Sequence, residues 1–235
     1  MTRTIQLCTA LLLALAAAGA QAANYAGTTF EIEMIVFSRP GGMEQSRETW
    51  PAAPQLQYPD RWVDFQTADG DGATALSPAV TRLDNKVAAL NRGGSYRVLF
   101  HKAWRQVLQQ KHKSPAILID GGDSSGDHRQ LEGSVTVSVS RYLHLSTNLW
   151  FSDFVGGEMT TGGIPLPSRP TLASEEPLNL MTGSPAPLVG VQPLYAQRVA
   201  VLQEERRLRS GELHYIDHPQ LGVLIEVRTV DGTEE

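Results

Sequence analysis

The sequence predicts an α+β protein: a mainly antiparallel sheet of about five strands, with one helix packed on one face and long loops. Two observations carry this prediction. Apolar and polar residues alternate in several stretches, which is typical of half-buried strands, and a single stretch has the three-to-four spacing of an amphipathic helix. Several strands with one helix favour an antiparallel sheet that the helix covers on one side.

The first element is an export signal. Residues 7–18 are almost wholly apolar, and Ala20-Gln21-Ala22 supplies the small-x-small pattern of a cleavage site. The apolar run has about a dozen residues, whereas a membrane-spanning helix needs ~20. We therefore expect a signal peptide over 1–22, no transmembrane anchor, and a periplasmic chain of one domain over 23–235.

The first strand and the helix follow from apolar spacing. Residues 29–37 alternate and then become continuously apolar, which predicts a strand that is buried at its far end. Ser77-Pro78 is a helix start, with a hydroxyl cap and then a proline whose missing N–H costs nothing. The apolar residues that would share one face of this helix are Val80, Leu83, Val87 and Leu90.

The later strands include one very long alternating stretch. Residues 131–151 have apolar side chains at odd positions, and because this exceeds a normal strand we expect a bend, a bulge or a break into two. Further strands are predicted over 96–106, 194–208 and 221–230, with a turn at 211–219. Residues 152–193 hold half of the fourteen prolines and predict a flexible surface insertion.

A basic stretch stands out in this acidic chain, whose net charge is −5. Residues 92–113 hold six Lys or Arg and no acid, and a strand here would place Arg97, His101 and Arg105 on one face and Trp104 on the other. Basic groups bind carboxylates and aromatic planes stack on sugars. Alternatively, the aromatic residues form the core and the charges are solvated or paired.

Arg141 is unusual because it lies on the apolar face of the long stretch, between Val139 and Leu143. A buried guanidinium needs a carboxylate, and we expect an ion pair with Glu31 or Glu33. The alternative is that the strand bends there and that Arg141 points into a site.

Two histidines and an aspartate lie close together in residues 206–219. His214 and His218 are four apart, but no further histidine cluster offers a third ligand, so we expect neither a metal nor another cofactor. A turn in which Asp217 and the histidines hydrogen-bond to the backbone is favoured. Acidity and export together argue against nucleic acid as a partner.

Four blocks together resemble a known family. They read FEIEMIVF over 30–37, YRVLFHKAWRQ over 96–106, LEG leading to RYLHL over 131–145, and RRLRSGELHYIDHP over 206–219. Their order and spacing resemble the CsiV-type peptidoglycan-binding proteins of proteobacteria. The resemblance implies a periplasmic peptidoglycan-binding protein without assigned catalytic residues. It also implies support of wall synthesis by a bifunctional penicillin-binding protein, through that enzyme's outer-membrane lipoprotein activator.

The candidate ligand-binding residues combine these blocks with suitable chemistry. They are Arg97, His101, Trp104, Arg105, Arg141, Tyr142, His144, His214, Tyr215, Asp217 and His218. No residue is expected to be catalytic. Two alternatives remain: a protein-interaction adaptor that does not bind the wall directly, and a metal-dependent wall hydrolase that uses His214, Asp217 and His218.

Overall fold

The computed structural model describes residues 25–47, 51, 53–65, 76–154, 163–171 and 194–230. The signal peptide predicted over 1–22 lies outside the described residues, as does most of the insertion predicted over 152–193.

The elements in chain order are mostly strands. They are β1 (Thr29–Ser38), α1 (Gly42–Gln45), β2 (Trp62–Val63), β3 (Ser77–Pro78), α2 (Asp84–Arg92), β4 (Arg97–Val107), β5 (Ala116–Leu118), β6 (Gly121–Ser125), β7 (His128–Val139), β8 (Leu143–Asp153), β9 (Ile164–Pro165), β10 (Tyr195–Ala196), β11 (Arg198–Leu208), β12 (Leu213–Asp217) and β13 (Leu221–Thr229).

These strands form two main sheets that face each other. The first sheet has the order β12-β13-β1-β4-β3; the second has the order β11-β8-β7-β5-β2, with β6 also paired to β7. Strands β9 and β10 form a separate small pair. The prediction of one sheet of about five strands is therefore corrected, because five strands account for the first sheet alone. The pairing is antiparallel as predicted, except between β2 and β5.

The main core lies between the two sheets. Alternate residues of β1, from Phe30 to Val36, contact the inward-facing residues of β7 and β8, such as Val135 and Leu145. Burying these side chains from both sheets supplies the main driving force for the fold. The alternation that predicted the strands is thus explained by one shared core.

Helix α2 covers part of the outer face of the first sheet, as the sequence predicted for a single main helix. Leu83 is buried there with Ile35 and Phe37 of β1, and Val87 and Leu90 pack beside them. The predicted start of this helix is wrong, however. Ser77 and Pro78 form the edge strand β3 against β4, and Val80 is 79% exposed.

The reason for the later helix start is a carboxylate on another element. The side chain of Glu33, on β1, accepts hydrogen bonds from the backbone N–H of Arg82 at 2.9 Å and of Leu83 at 2.8 Å. These N–H groups lie where a helix begins and lack an intrahelical partner. Glu33 therefore fixes the start of α2 after Arg82, which local sequence cannot show.

The long alternating stretch breaks into two strands, one of the three outcomes expected. β7 and β8 form a hairpin with Val139 opposite Leu143. The turn predicted over 211–219 contains a strand, β12, and β6 lies in the glycine-rich stretch 120–127, whose sequence is typical of a turn. Each pairs with a neighbouring strand, β6 with β7 and β12 with β13, and that pairing overrides the local turn signals.

A second apolar cluster lies on the outer face of the second sheet. Trp150 and Val199 are buried there together with Leu166 of the proline-rich stretch. Ile164 and Pro165 also pair with β10, within the stretch that was predicted as a flexible surface insertion. The described residues 163–171 are thus packed onto the sheet.

Candidate functional site

The basic face of β4 is neutralised by acids from distant parts of the chain. Arg97 makes two hydrogen bonds to the carboxylate of Asp123, at 2.6 and 2.8 Å. Arg105 lies 3.2 Å from Glu31, and His101 Nε2 lies 2.9 Å from Glu33 Oε1. The alternative in which these charges are paired therefore describes β4 better than an open cationic surface does.

Glu31 and Glu33 are the centre of a buried ionic network. Arg228 of β13 reaches both carboxylates at 3.2 Å. Burial alone would raise the pKa of Glu33, but the hydrogen bonds from His101, from the backbone of Leu83 and Arg82, and from Arg228 outweigh it and hold that pKa below its ordinary value. We call Glu31, Glu33, Arg105 and Arg228 the saturated network.

Trp104 belongs to the core. Its side chain is 0% exposed, its Nε1 donates a hydrogen bond to Gln106 at 3.2 Å, and its ring meets the edge of Phe65 at 5.4 Å between centroids. A ring in this position has no face open to a sugar. The expectation that Trp104 stacks on a ligand is therefore corrected: it is a structural residue.

Arg141 lies in the hairpin turn between β7 and β8 and is exposed. The expected ion pair with Glu31 or Glu33 is wrong, since Arg105 and Arg228 occupy that role. The alternative, a change of direction at Arg141, describes the structure. Its guanidinium carbon lies 5.8 Å from the ring centroid of Tyr142, the next residue in the turn.

A second arginine meets the same tyrosine from β11. The guanidinium carbon of Arg207 lies 3.9 Å from the ring centroid of Tyr142. Neither Arg141 nor Arg207 has a carboxylate within ion-pair distance among the described residues. We call Arg141, Tyr142 and Arg207 the hairpin-end site.

A cavity opens beside the hairpin-end site. It measures about 230 Å³ and is lined mostly by apolar groups; its lining residues include Phe30, Leu208, Arg141 and Arg209. Arg209 is paired with Glu212 at 3.5 Å. The arrangement thus combines free guanidinium groups, an exposed aromatic ring and an apolar recess, which suits a ligand with carboxylates and methyl groups.

Three histidines of the candidate set, His144, His214 and His218, make hydrogen bonds at or near turns. His214 Nε2 accepts a hydrogen bond from the backbone N–H of Arg209 at 3.0 Å. His218 Nδ1 lies within hydrogen-bond distance of the backbone N–H of Gln220, at 3.2 Å. His144 is half-buried, with Nε2 3.3 Å from the Ser140 hydroxyl. For His214 and His218, this confirms the predicted hydrogen bonds to the backbone, although His214 lies on strand β12 and not in the predicted turn.

Tyr215 and Asp217 are organised by Arg39, which follows β1. Arg39 donates hydrogen bonds to the Tyr215 hydroxyl, to Asp217 and to the backbone carbonyl of His218. Tyr215 also donates to Asp217 at 2.6 Å. Burial, first, and then the hydrogen bond to Asp217 raise the pKa of Tyr215 to about 12, and the bonds from Tyr215 and Arg39 lower the pKa of Asp217.

Comparison with known protein families shows to which family this chain belongs. A sequence model described as "Peptidoglycan-binding protein, CsiV" matches residues 7–230 of the 235 residues. The chain belongs to the CsiV family. Comparisons with curated proteins and with solved structures returned no match. No helix among the described residues is long and apolar enough to span a membrane. The same residues contain no group of three or more His, Cys, Asp or Glu placed to hold a metal ion.

The sequence candidates of this CsiV-family chain therefore separate into different places. Arg97, His101 and Arg105 are paired on β4, Trp104 is in the core, and Tyr215 and Asp217 lie around Arg39. Only Arg141 and Tyr142 reach the hairpin-end site.

Sequence reasoning missed two organising residues, Arg39 and Arg207. Arg207 stands inside the 206–219 block, and strand pairing places it opposite His144. No sequence signal indicated its role, because only the pairing of β11 with β8 brings Arg207 beside the Tyr142 turn. Arg39 likewise had no sequence signal.

Proposed function

We propose that this protein is a non-catalytic, periplasmic accessory protein that holds peptidoglycan at the hairpin-end site. Peptidoglycan binding is the description of its family. The location is supported by Arg141 and Arg207, two exposed guanidinium groups that lie near the Tyr142 ring and have no ion pair among the described residues.

The chemistry of this pair fits the stem peptides of the wall. Each stem peptide carries carboxylates, and a guanidinium binds a carboxylate through two parallel hydrogen bonds. Stacking on Tyr142 leaves the edges of the guanidinium groups, which carry the donors, available to a ligand. The apolar recess beside them suits the methyl groups of alanine residues in the same peptide.

The best test is co-sedimentation of the mature chain with purified insoluble sacculi at modest salt. The wild type is expected in the pellet, and the double variant Arg141→Ala/Arg207→Ala is expected in the supernatant. Arg97→Ala/Arg206→Ala is the matched control, because it also removes two positive charges, from exposed side chains that are already paired with Asp123 at 2.6 Å and with Glu204 at 2.9 Å. Wild-type protein that stays wholly in the supernatant contradicts the proposal.

Periplasmic location rests on the apolar segment 7–18 and the Ala20-Gln21-Ala22 pattern. The proposal is export followed by cleavage near Ala22. Fractionation of cells, with the amino-terminal sequence of the recovered chain, tests it. A chain that keeps residues 1–22 or remains in the cytosol would contradict this part.

A role in wall synthesis is the further part of this proposal. Its support is the family resemblance of the sequence blocks, which implies a bifunctional penicillin-binding protein and its outer-membrane lipoprotein activator as partners. Crosslinking in living cells tests it: capture of both partners is expected, and capture of neither would remove this part while leaving wall binding intact.

The two alternative functions receive less support from the structure. Docking of a partner by strand addition would use β11, which lies at the edge of its sheet. This strand, however, carries Glu204, Glu205, Arg206 and Arg207 in succession, and charged edge strands disfavour pairing with another chain. For the metal-dependent hydrolase, His214 Nε2 and His218 Nδ1 both face backbone N–H groups at hydrogen-bond distance.

A further inference from the structure

A second surface lies at the other end of β1. We call Phe37, Arg39, Tyr96, Tyr215 and Asp217 the Arg39 surface. Phe30, near the start of β1, lines the hairpin-end cavity, whereas Arg39 directly follows the end of this strand. At about 3.3 Å per residue, the intervening strand separates the two regions by roughly 30 Å. One ligand group therefore cannot occupy both.

The Arg39 surface displays aromatic rings to solvent. Tyr215 is 46% exposed and Tyr96 is 39% exposed. Phe37 lies between them: its ring is parallel to that of Tyr215, at 7° with centroids 6.4 Å apart, and meets Tyr96 edge-on at 5.3 Å. Exposed aromatic planes of this kind are apolar surfaces on which the C–H faces of sugar rings stack.

These rings are fixed in advance. Arg39 and Asp217 both hydrogen-bond the Tyr215 hydroxyl, and the Arg39 guanidinium lies 6.0 Å from the Tyr96 ring. A side chain that is already held loses little rotamer freedom when a ligand arrives. The surface is therefore preorganised for a flat ligand.

The Arg39 surface also differs from the hairpin-end site in its charge. Arg39 is neutralised by Asp217, so no unpaired cation is available to attract a carboxylate among these residues. Asp217 is exposed and can accept hydrogen bonds from hydroxyl or amide groups. A cavity of about 610 Å³, lined by Arg39, Ser95, Tyr96 and Pro219, adjoins the rings. Its size is within the range of small-molecule sites.

We propose that the Arg39 surface binds the uncharged glycan strand, that is, β-1,4-linked N-acetylated sugars, while the hairpin-end site binds the carboxylates of the stem peptides. This inference rests on the proposed function, since it assigns a binding surface to the glycan part of the same polymer. Sugar rings stack on Tyr215 and Tyr96, and Asp217 accepts hydrogen bonds from their polar groups. A protein ligand is the competing occupant, and it would have no requirement for an N-acetylated sugar.

The experiment is a calorimetric titration of the mature chain with chitotetraose, a β-1,4-linked tetramer of N-acetylglucosamine that has no carboxylate. The wild type is expected to bind it. Tyr96→Ala and Tyr215→Ala are each expected to weaken binding about tenfold, the size of one lost aromatic contact. Tyr215→Phe keeps the ring but loses the hydrogen bonds to Arg39 and Asp217, so its affinity is expected to lie between those of the wild type and Tyr215→Ala.

The control is Tyr195→Ala, which removes a half-buried tyrosine from β10, away from both sites. It is expected to bind chitotetraose like the wild type. Tyr96 makes no hydrogen bond that shapes the fold among the described contacts, so Tyr96→Ala remains informative if Tyr215→Ala fails to fold.

Two results overturn the inference: no binding of chitotetraose by the wild type, or equal binding by the wild type and the Tyr96→Ala variant. If the wild type still pellets with sacculi in either case, the glycan assignment fails and the proposed function stands. If the wild type neither pellets nor binds chitotetraose, both fail.

Discussion

The saturated network and the hairpin-end site both gather arginines, but they use them differently. In the network, Arg105 and Arg228 lie 3.2 Å from the buried carboxylates of Glu31 and Glu33. At the hairpin end, Arg141 and Arg207 lie near the Tyr142 ring and form no ion pair among the described residues. A cluster of arginines therefore indicates a ligand site only where the chain's own carboxylates do not already occupy it.

Removal of a carboxylate from the network is the largest effect we expect. Glu33→Ala leaves two backbone N–H groups and part of Arg228 without their partner, because Glu33 is fully buried. We expect the free energy of unfolding to fall by about 3 kcal/mol, as for other broken buried ion pairs. Urea denaturation at neutral pH measures it.

The matched control for this change is Glu205→Ala. Glu205 forms an exposed ion pair with Lys111, and exposed pairs contribute at most about 1 kcal/mol. Equal losses in the two variants would mean that the network is no more structural than a surface pair.

Acid is expected to weaken the same network, by less than the substitution does. The folded-state pKa of Glu33 lies below its ordinary value of 4.5, so its contribution to stability is complete above that value and is lost as the pH falls through the folded pKa. The unfolding free energy of the wild type should decline below about pH 4.5 more steeply than that of Glu33→Ala. Urea midpoints between about pH 7 and pH 3 provide the comparison, and parallel curves would contradict it.

Removal of a guanidinium from the hairpin end should change binding rather than stability. Arg207→Gln is expected to reduce the affinity for sacculi about tenfold, or about 1.4 kcal/mol, because one charged contact with a carboxylate is lost. Its unfolding free energy should stay within about 0.5 kcal/mol of the wild type. Binding isotherms at low and high salt test this: added salt should weaken the wild type more than the variant.

The smallest effect is expected at Arg97, on the exposed face of β4. Arg97→Gln breaks two hydrogen bonds to Asp123, and both side chains are about half exposed or more. We expect a loss below about 1 kcal/mol and unchanged binding to sacculi. A large loss of binding would contradict this expectation and would indicate that the basic face of β4 binds the ligand.

The sequence predicted the strands well and their partners poorly. Apolar patterning identified β1, which is buried on both faces, and β4 and β13, which are more buried on one face than on the other. It also placed Arg141 on the apolar face, which is wrong for a specific reason. The turn between Val139 and Leu143 has three residues, so odd positions remain inward on both sides of it. Because apolar residues stay at odd positions before and after a three-residue turn, the alternation alone cannot show that a turn is present.

The site was harder to predict because its chemistry depends on residues that are distant in sequence. The residues 92–113 contain no acid, yet Glu31 and Glu33 neutralise Arg105 and His101 from about 70 positions away. Trp104 looked like a sugar platform because its residue type suits both roles, and only its position between the sheets decides in favour of the core.

The most direct test of the central claim is to map where a soluble wall fragment binds. Amide chemical shifts of the isotopically labelled mature chain are recorded while a disaccharide bearing one stem peptide is added. We expect the largest changes at Arg141, Tyr142 and Arg207. Changes confined to β4 around Arg97 and Arg105, with none in the hairpin turn, would contradict the claim that free guanidinium groups at the hairpin end hold the wall.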